Sequence, residues 1–542
     1  MECRMTDLNA DIVVVGSGMA GAHLSRSLAE AGRDVLVLEA GGRKSRAEYL
    51  SDFYQNPVKG PQAPYPSQDS APHPTDTDYD SFYDQAGPEM FVGAYLRIYG
   101  GTTWHWTGFA DRLRPADFQG ATLYARGTDW PINYEELVPF YEKAEARWGV
   151  SGDPDYTWGS PRKPGEGYMM PPIPASYMDL QIQKALDQMD LTSKRFSHAR
   201  NSVIFDGRPP CCGNNTCVPI CPIAAKYDAS VDMDKAVAAG ARIELEALVT
   251  FIEIDSDQKV ASLTIRRPDG STQKVTANTF VLGCHAVENP RLLLNSKQET
   301  APNGVANGTD QVGRYLLSQY NVDVTGEVTD PVYPYRGPQQ TSGIIEFRDG
   351  DFRKTYAPFG TSFMNNGWSG NADATKLSKE LIGKGMRGAA LVQELNDQIG
   401  RHVRLNSSAE TLGDADNRIT LSDLLDSSGV PKPRVAFTVD DYTRAGLKVA
   451  TETNQKVLEL MGAKNVTSDT PYLSNAIIAG TTRMGVDPAT SVVRADMQTH
   501  QHKNLYILGA STHVSAPVNA PSLTIAAMGI RLAAHLDLTA NE

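Results

Sequence analysis

The sequence predicts an α/β fold in which a nucleotide-binding domain of Rossmann-like type is joined to a second domain. Two observations carry this. Residues 11–39 read as a strand, a glycine-rich turn, a helix and a second strand. A chain of 542 residues is also too long for one small core, so two domains, or one with a large insertion, are expected.

The first strand is the β-branched run Asp11-Ile12-Val13-Val14-Val15, which suits a parallel strand covered on both faces. Gly16-Ser17-Gly18-Met19-Ala20-Gly21 follows, then Ala22, Leu24, Leu28 and Ala31 at helical spacing, then Asp34 to Glu39 as the second strand. In such a unit Gly16 permits the tight turn, Gly18 lets the backbone approach a pyrophosphate at the helix N-terminus, and Gly21 allows close helix-strand packing. Glu39 is placed to accept from ribose hydroxyls. The continuation Glu39-Ala40-Gly41-Gly42 favours FAD over NAD.

Hydrophobic residues make up 41% and charged residues 21%, near the soluble globular average, and no apolar run approaches the roughly 18 residues that cross a bilayer. The formal net charge of -13 opposes nucleic acid and anionic lipid as partners. Residues 1–7 carry acids where a secretory signal places basic residues, and Ile12–Val15 is too short for its apolar core, so no export signal of its own is expected.

Four of six cysteines, Cys211, Cys212, Cys217 and Cys221, fall within eleven positions, while Cys3 and Cys284 stand alone; this clustering favours a metal site over a disulfide framework. Cys217, Cys221 and Pro222 form the C-x3-C-P run that ferredoxins use for cluster thiolates. Zinc is the rival occupant, although the adjacent Cys211 and Cys212 suit one tetrahedral ion poorly.

Several segments resemble the glucose-methanol-choline (GMC) oxidoreductases. Gly100-Gly101-Thr102-Thr103-Trp104-His105-Trp106 resembles the loop that runs along the FAD pyrophosphate towards the flavin ring in that family. Trp130-Pro131 to Leu137 is similar to another of its segments, with Asn133 and Glu136 at capping-box spacing ahead of a helical stripe of Leu137, Tyr141, Ala144 and Trp148. Gly480–Gly485, Asn504–Ser511 and Asn519–Ala527 resemble its last blocks, which implies that Ala510 and Asn519 lie at the cofactor. Arg200–Ser202, Asp206–Pro209 and the cysteine segment resemble in particular the FAD subunits of membrane-attached bacterial sugar dehydrogenases.

The resemblance implies an FAD domain from about 1–320 and 465–542, with an iron-sulfur segment near 200–230. A substrate domain containing an antiparallel sheet is implied from about 150–200 and 320–465. It implies a three-iron cluster (3Fe-4S) on Cys211, Cys217 and Cys221, with Cys212 left for a disulfide to a small chaperone-like subunit. The activity implied is oxidation of a sugar, polyol or glycoside hydroxyl. Electrons would leave one at a time for a cytochrome or quinone acceptor. Such a subunit is expected in the periplasm, attached to the membrane through its partner, the alternative being the cytoplasm.

Alcohol oxidation needs a base for the hydroxyl proton, and neutral imidazole suits that task. The family's usual histidine near the Gly480–Gly485 block is absent: the stretch reads Leu473-Ser474-Asn475-Ala476-Ile477-Ile478-Ala479, with Thr482 inside the block. His513 ranks first as replacement, His105 next, and His500 and His502 read as parts of a solvated turn. Asn519 is expected to orient the substrate hydroxyl or to cap a helix. Around Ser318-Gln319-Tyr320 the family's Asp-His-Pro ending is also lost. An oxidase or redox-neutral enzyme, and a non-catalytic electron-transfer subunit, are the alternatives. Tyr356, Asn365 and Trp368 are candidate pocket residues.

Overall fold

The computed structural model of the chain describes residues 8–540, apart from 58, 76, 157–158, 164–165 and 367–373. Trp368 therefore lies outside the described residues. The predicted βαβ unit forms as Leu8–Val15, helix Met19–Glu30 and Val35–Leu38. The first strand pairs in parallel with Val35–Leu38 on one side and Thr272–Leu282 on the other. Arg242–Glu244 and Leu505–Ile507 add two further parallel strands, and the antiparallel pair Val260–Arg266 and Leu248–Ile254 ends the sheet.

This sheet is covered as its β-branched composition requires. Val13, Val14, Val37 and Val281 are fully buried, each side chain contributing about 2 kcal/mol by its removal from water. Helix Met19–Glu30 packs against the C-terminal helix Ser522–Ala540, which also packs against Tyr134–Trp148. Asn133 caps that last helix: its side chain accepts from the Glu136 amide at 3.0 Å, and Glu136 accepts in return from the Asn133 amide at 3.2 Å. The stripe of Leu137, Tyr141, Ala144 and Trp148 is buried core, as predicted.

The second sheet is antiparallel throughout, ordered Lys464–Ser468, Gln319–Glu327, His402–Glu410, Phe359–Phe363, Ser342–Ile344 and Ser193–Arg195, with Tyr472–Leu473 also on Gln319–Glu327. Side chains alternate between its faces. Tyr320, Val322, Val403, Leu405 and Phe359 face helix Asp441–Leu460 and are buried with it. Gln319, Asn321 and Asp323 point the other way, beside Asn406 and Ser408 of the paired strand. One face of the sheet is therefore apolar core and the other a polar wall.

Candidate functional site

The turn after the first strand opens into a cavity lined by Gly16, Gly18, Glu39, Gly101, Thr102, Thr103 and Ala510. Gly16 has a left-handed φ of 98°, and a methyl on Gly21 would stand 1.9 Å from the Gly16 carbonyl oxygen, so neither position accepts a side chain. Glu39 is buried and accepts from the Ser17 amide at 3.0 Å, the Ser17 hydroxyl at 2.6 Å and the Gly41 amide at 3.0 Å. Burial pushes its carboxyl above the usual carboxylate range. Arg97 lines the same cavity, ion-paired to Glu288, and its Nη1 is buried with no protein partner. A glycine-lined helix start, a terminal carboxylate and an unpartnered guanidinium nitrogen fit a dinucleotide with a pyrophosphate.

Other residues expected at the cofactor stand behind this wall. Gly21 packs the helix on the strand, and Gly100 makes a left-handed turn against Trp104. Trp104 is buried, donates from Nε1 to the Tyr99 carbonyl at 2.8 Å, and lies under the Arg46 guanidinium. It supports the loop without lining the cavity.

A second cavity of about 570 Å³, room for a small-molecule ligand, lies against the polar face of the antiparallel sheet. Thr102, Trp106, Ala476, Ile477 and Ser522 line both cavities and form their junction. On the far wall, Asn321 Oδ1 and Gln340 Oε1 are buried acceptors without protein partners, while Asp323 accepts from Asn406 and from the Tyr472 hydroxyl, each at 3.0 Å. Tyr356 packs with the core beneath the sheet, and Asn365 is buried, donating to the Arg336 carbonyl at 2.7 Å; neither lines the cavity.

The candidate bases separate in space. His513 follows a short turn at Ala510–Thr512, is fully buried against the Trp130 ring at 5.1 Å, and lines neither cavity. Both its ring nitrogens lack partners, and burial alone pushes it down to about 3. Asn519 is turned inward as well, its Nδ2 donating to the Arg112 carbonyl at 2.7 Å, while Val518 and Ala520 face the cavity. It reaches neither flavin nor substrate cavity and does not cap the helix that starts at Ser522. His105 lines the substrate cavity instead of the nucleotide cavity. Its Nδ1 is 3.3 Å from the Pro61 carbonyl oxygen, which can only accept, so Nε2 keeps its lone pair. Burial, with the Lys226 charge, pushes its imidazole down to about 3. His502 is no solvated turn residue: it is buried between the Gln258 carbonyl and the Ala306 amide, and His500 contacts the Ser491 hydroxyl.

Cys211, Cys212, Cys217 and Cys221 surround one small pocket with Arg200 and Lys226. Cys217 and Cys221 are buried, Cys211 is half-buried, Cys212 is exposed, and all four are free thiols. The Gly213 amide points at Cys211 Sγ and the Lys226 amide at Cys221 Sγ, each at 3.5 Å, the arrangement that stabilises thiolate sulfur. Among the described residues no three His, Cys, Asp or Glu side chains are grouped closely enough to hold a single metal ion. Three soft thiol donors beside two cations are the chemistry that suits an anionic iron-sulfur group.

Comparison with known proteins agrees with this layout. The GMC oxidoreductase family matches residues 413–529 and the FAD binding domain family residues 11–97. The fructose dehydrogenase large subunit of Gluconobacter japonicus is 34% identical, over 97% of this chain and 97% of the relative. The chain belongs to the GMC oxidoreductases. A 2-methyl-1,2-propanediol dehydrogenase of Mycolicibacterium austroafricanum is 27% identical to this GMC oxidoreductase over 96% of the chain and 94% of the relative. The crystal structure of pyridoxine 4-oxidase from Mesorbium loti shares the fold, with a TM-score of 0.66 at 18% identity over 98% and 99% of the two chains. From its family and its relatives, this chain is an FAD-binding oxidoreductase acting on CH–OH groups.

Within this GMC oxidoreductase, the residues that sequence reasoning missed are Arg97, Asn321, Gln340 and the junction residue Ile477. Arg97 lies between recognised segments and carries no motif. Asn321 follows the altered Ser318-Gln319-Tyr320, so the loss of the family's usual ending was the one available signal. Ile477 places an alkyl side chain at the junction of the two cavities.

Proposed function

We propose that this GMC oxidoreductase is a dehydrogenase that oxidises a hydroxyl of a sugar, polyol or glycoside and passes the electrons on through an iron-sulfur cluster at Cys211, Cys217 and Cys221. When bound, FAD supplies the acceptor for the hydride of the alcohol carbon. The chain supplies the rest. Asn321 and Gln340 offer buried acceptors to substrate hydroxyls, which must donate there to offset the desolvation of both carbonyls. His105 Nε2 accepts the hydroxyl proton, and Ala476 and Ile477 supply the alkyl part of the junction beside Thr102 and Ser522.

The observation that carries this reading is the thiol pocket, reached from the junction through the loop that contains Trp106. An enzyme that gives electrons directly to oxygen has no use for such a relay, whereas a dehydrogenase must deliver them singly to a distant acceptor. Relatives named for a sugar and a diol support the substrate class. A relative named as a large subunit supports a partner subunit, for which the exposed Cys212 thiol is available; the proposal takes a cytochrome or quinone as the acceptor. Work in the periplasm, held to the membrane by that partner, completes the proposal.

One test is iron analysis and dye-linked reduction by purified protein across sugars, polyols and glycosides, with Cys217→Ser and Cys221→Ser. Flavin bleached by substrate in all three proteins, with iron lost from both variants, is the expected result. Equal iron in parent and variants removes the cluster assignment. None of the described residues that line both cavities carries a titratable side chain, which favours a second reading, an electron-transfer subunit without substrate chemistry, and silence across the whole panel would support it.

A further inference from the structure

Two buried cations line the thiol pocket, and both reach out of it to the same loop. Lys226 is 2% exposed, and its three ammonium protons go to three carbonyl oxygens: Trp104 at 2.9 Å, Trp106 at 2.6 Å and Cys217 at 2.6 Å. Arg200 is 1% exposed and donates from Nη2 to the Thr107 carbonyl at 2.5 Å, while its Nε and Nη1 are buried without a protein partner. Among the described residues neither cation pairs with a carboxylate. Unpaired charge is costly to bury, so the negative charge that balances these two belongs in the pocket they line.

The loop they hold is the one at the junction. Trp106 borders both cavities, and His105 and Thr107 border the substrate cavity. We propose that Arg200 and Lys226 are positioning residues that couple the charge of the Cys211–Cys217–Cys221 pocket to the Trp104–Thr107 loop. Negative charge in the pocket fixes the two cations, and the cations fix the carbonyls of the loop that shapes the flavin and substrate ends of the site. The same two charges favour the more negative, reduced state of the pocket's occupant. The identity of that occupant rests on the iron-sulfur reading above; the cations and their loop contacts do not.

The test uses FAD-loaded protein and two measurements other than turnover. In a redox titration followed by electron paramagnetic resonance, Lys226→Met and Arg200→Gln should lower the equilibrium constant for reducing the iron centre at least tenfold, about 59 mV for one electron. Arg200→Lys, which keeps the charge, should restore most of it. In hydrogen exchange, the peptide spanning residues 104–107 should exchange at least tenfold faster in Lys226→Met, and in Cys217→Ser after iron loss, than in the parent. If Lys226→Met does not retain iron, the Arg200→Gln and Arg200→Lys pair decides the potential. Parent protein without iron overturns the occupant, and the coupling with it if exchange in the loop is also equal in all proteins. Parent protein with iron, an unchanged potential in the neutral variants and unchanged loop exchange overturns the coupling alone.

Discussion

Asn519 Nδ2 donates to the carbonyl oxygen of Arg112 at 2.7 Å, a bond that joins the last family block to a segment 407 residues earlier. Arg112 is itself fully buried and paired with Glu145 and Glu166. Asn519 therefore fastens the turn that leads into helix Ser522–Ala540. Asn519→Ala should cost about 1 kcal/mol of stability, since it removes one buried hydrogen bond while the Arg112 carbonyl keeps the Ser160 hydroxyl at 2.9 Å. Flavin reduction by substrate should stay within a factor of a few of the parent. Chemical denaturation beside rapid-mixing flavin bleaching separates the two effects, and a large loss of rate with unchanged stability would return Asn519 to the substrate.

His105 and His513 give opposite expectations. His105 lines the substrate cavity with Nε2 unprotonated, so His105→Phe should slow flavin bleaching by roughly 100-fold, the usual scale for a lost general base. His513→Phe replaces an unpartnered ring by an apolar one of similar shape and should leave that rate near parental. Anaerobic rapid mixing with saturating substrate measures both. Equal rates in parent and His105→Phe would leave the proton to solvent.

The glycines of the nucleotide turn should separate by what surrounds them. A methyl on Gly18 meets nothing closer than the Gly101 Cα at 3.9 Å, so Gly18→Ala folds and obstructs only the bound dinucleotide. A methyl on Gly21 would overlap the Gly16 carbonyl, so Gly21→Ala disturbs the strand-helix packing itself. Gly18→Ala should purify with parental circular dichroism and lose FAD on desalting, whereas Gly21→Ala should lose thermal stability as well. A yellow Gly18→Ala protein that survives desalting would place the pyrophosphate elsewhere.

These contrasts show what was legible in the sequence. The βαβ unit, the Asn133 capping box and the buried helical stripe are local patterns, and local geometry is enough to fix them. The cysteines announce their pocket because thiols cluster in few other circumstances. His513 and Asn519 lie in the expected segment, but the direction of each side chain is set by Trp130 and by the Arg112 carbonyl, far away in the chain. The polar wall is legible only through pairing: Asn321 comes opposite Ser408, and Asp323 opposite Asn406, because strands about eighty residues apart come into register. Arg97 escapes for a similar reason, since Glu288, which orients it, belongs to a helix nearly two hundred residues on.

Burial of imidazole makes this fold sensitive to acid. His513 is fully buried, and that burial pushes it to about 3. His23 and His73 are pushed to about 4, chiefly by burial, with Asp232 opposing the shift at His23 and the Tyr65 carbonyl opposing it at His73. An unfolded histidine takes its proton near pH 6.5, so between that value and the folded one the unfolded chain binds protons that the native protein does not. The stability from these neutral rings is complete above about pH 6.5 and declines as pH falls towards 4 and then 3. At pH 5 each accounts for a loss of about 2 kcal/mol relative to neutral pH. Denaturant melts of parent and His513→Phe at pH 7.5 and pH 5.0 isolate one of the three. The parent should lose about 2 kcal/mol more than the variant between the two pH values, because phenylalanine takes up no proton on unfolding. The same pH dependence in both proteins would mean that His513 is protonated in the native state, and that the space beside Trp130 admits water.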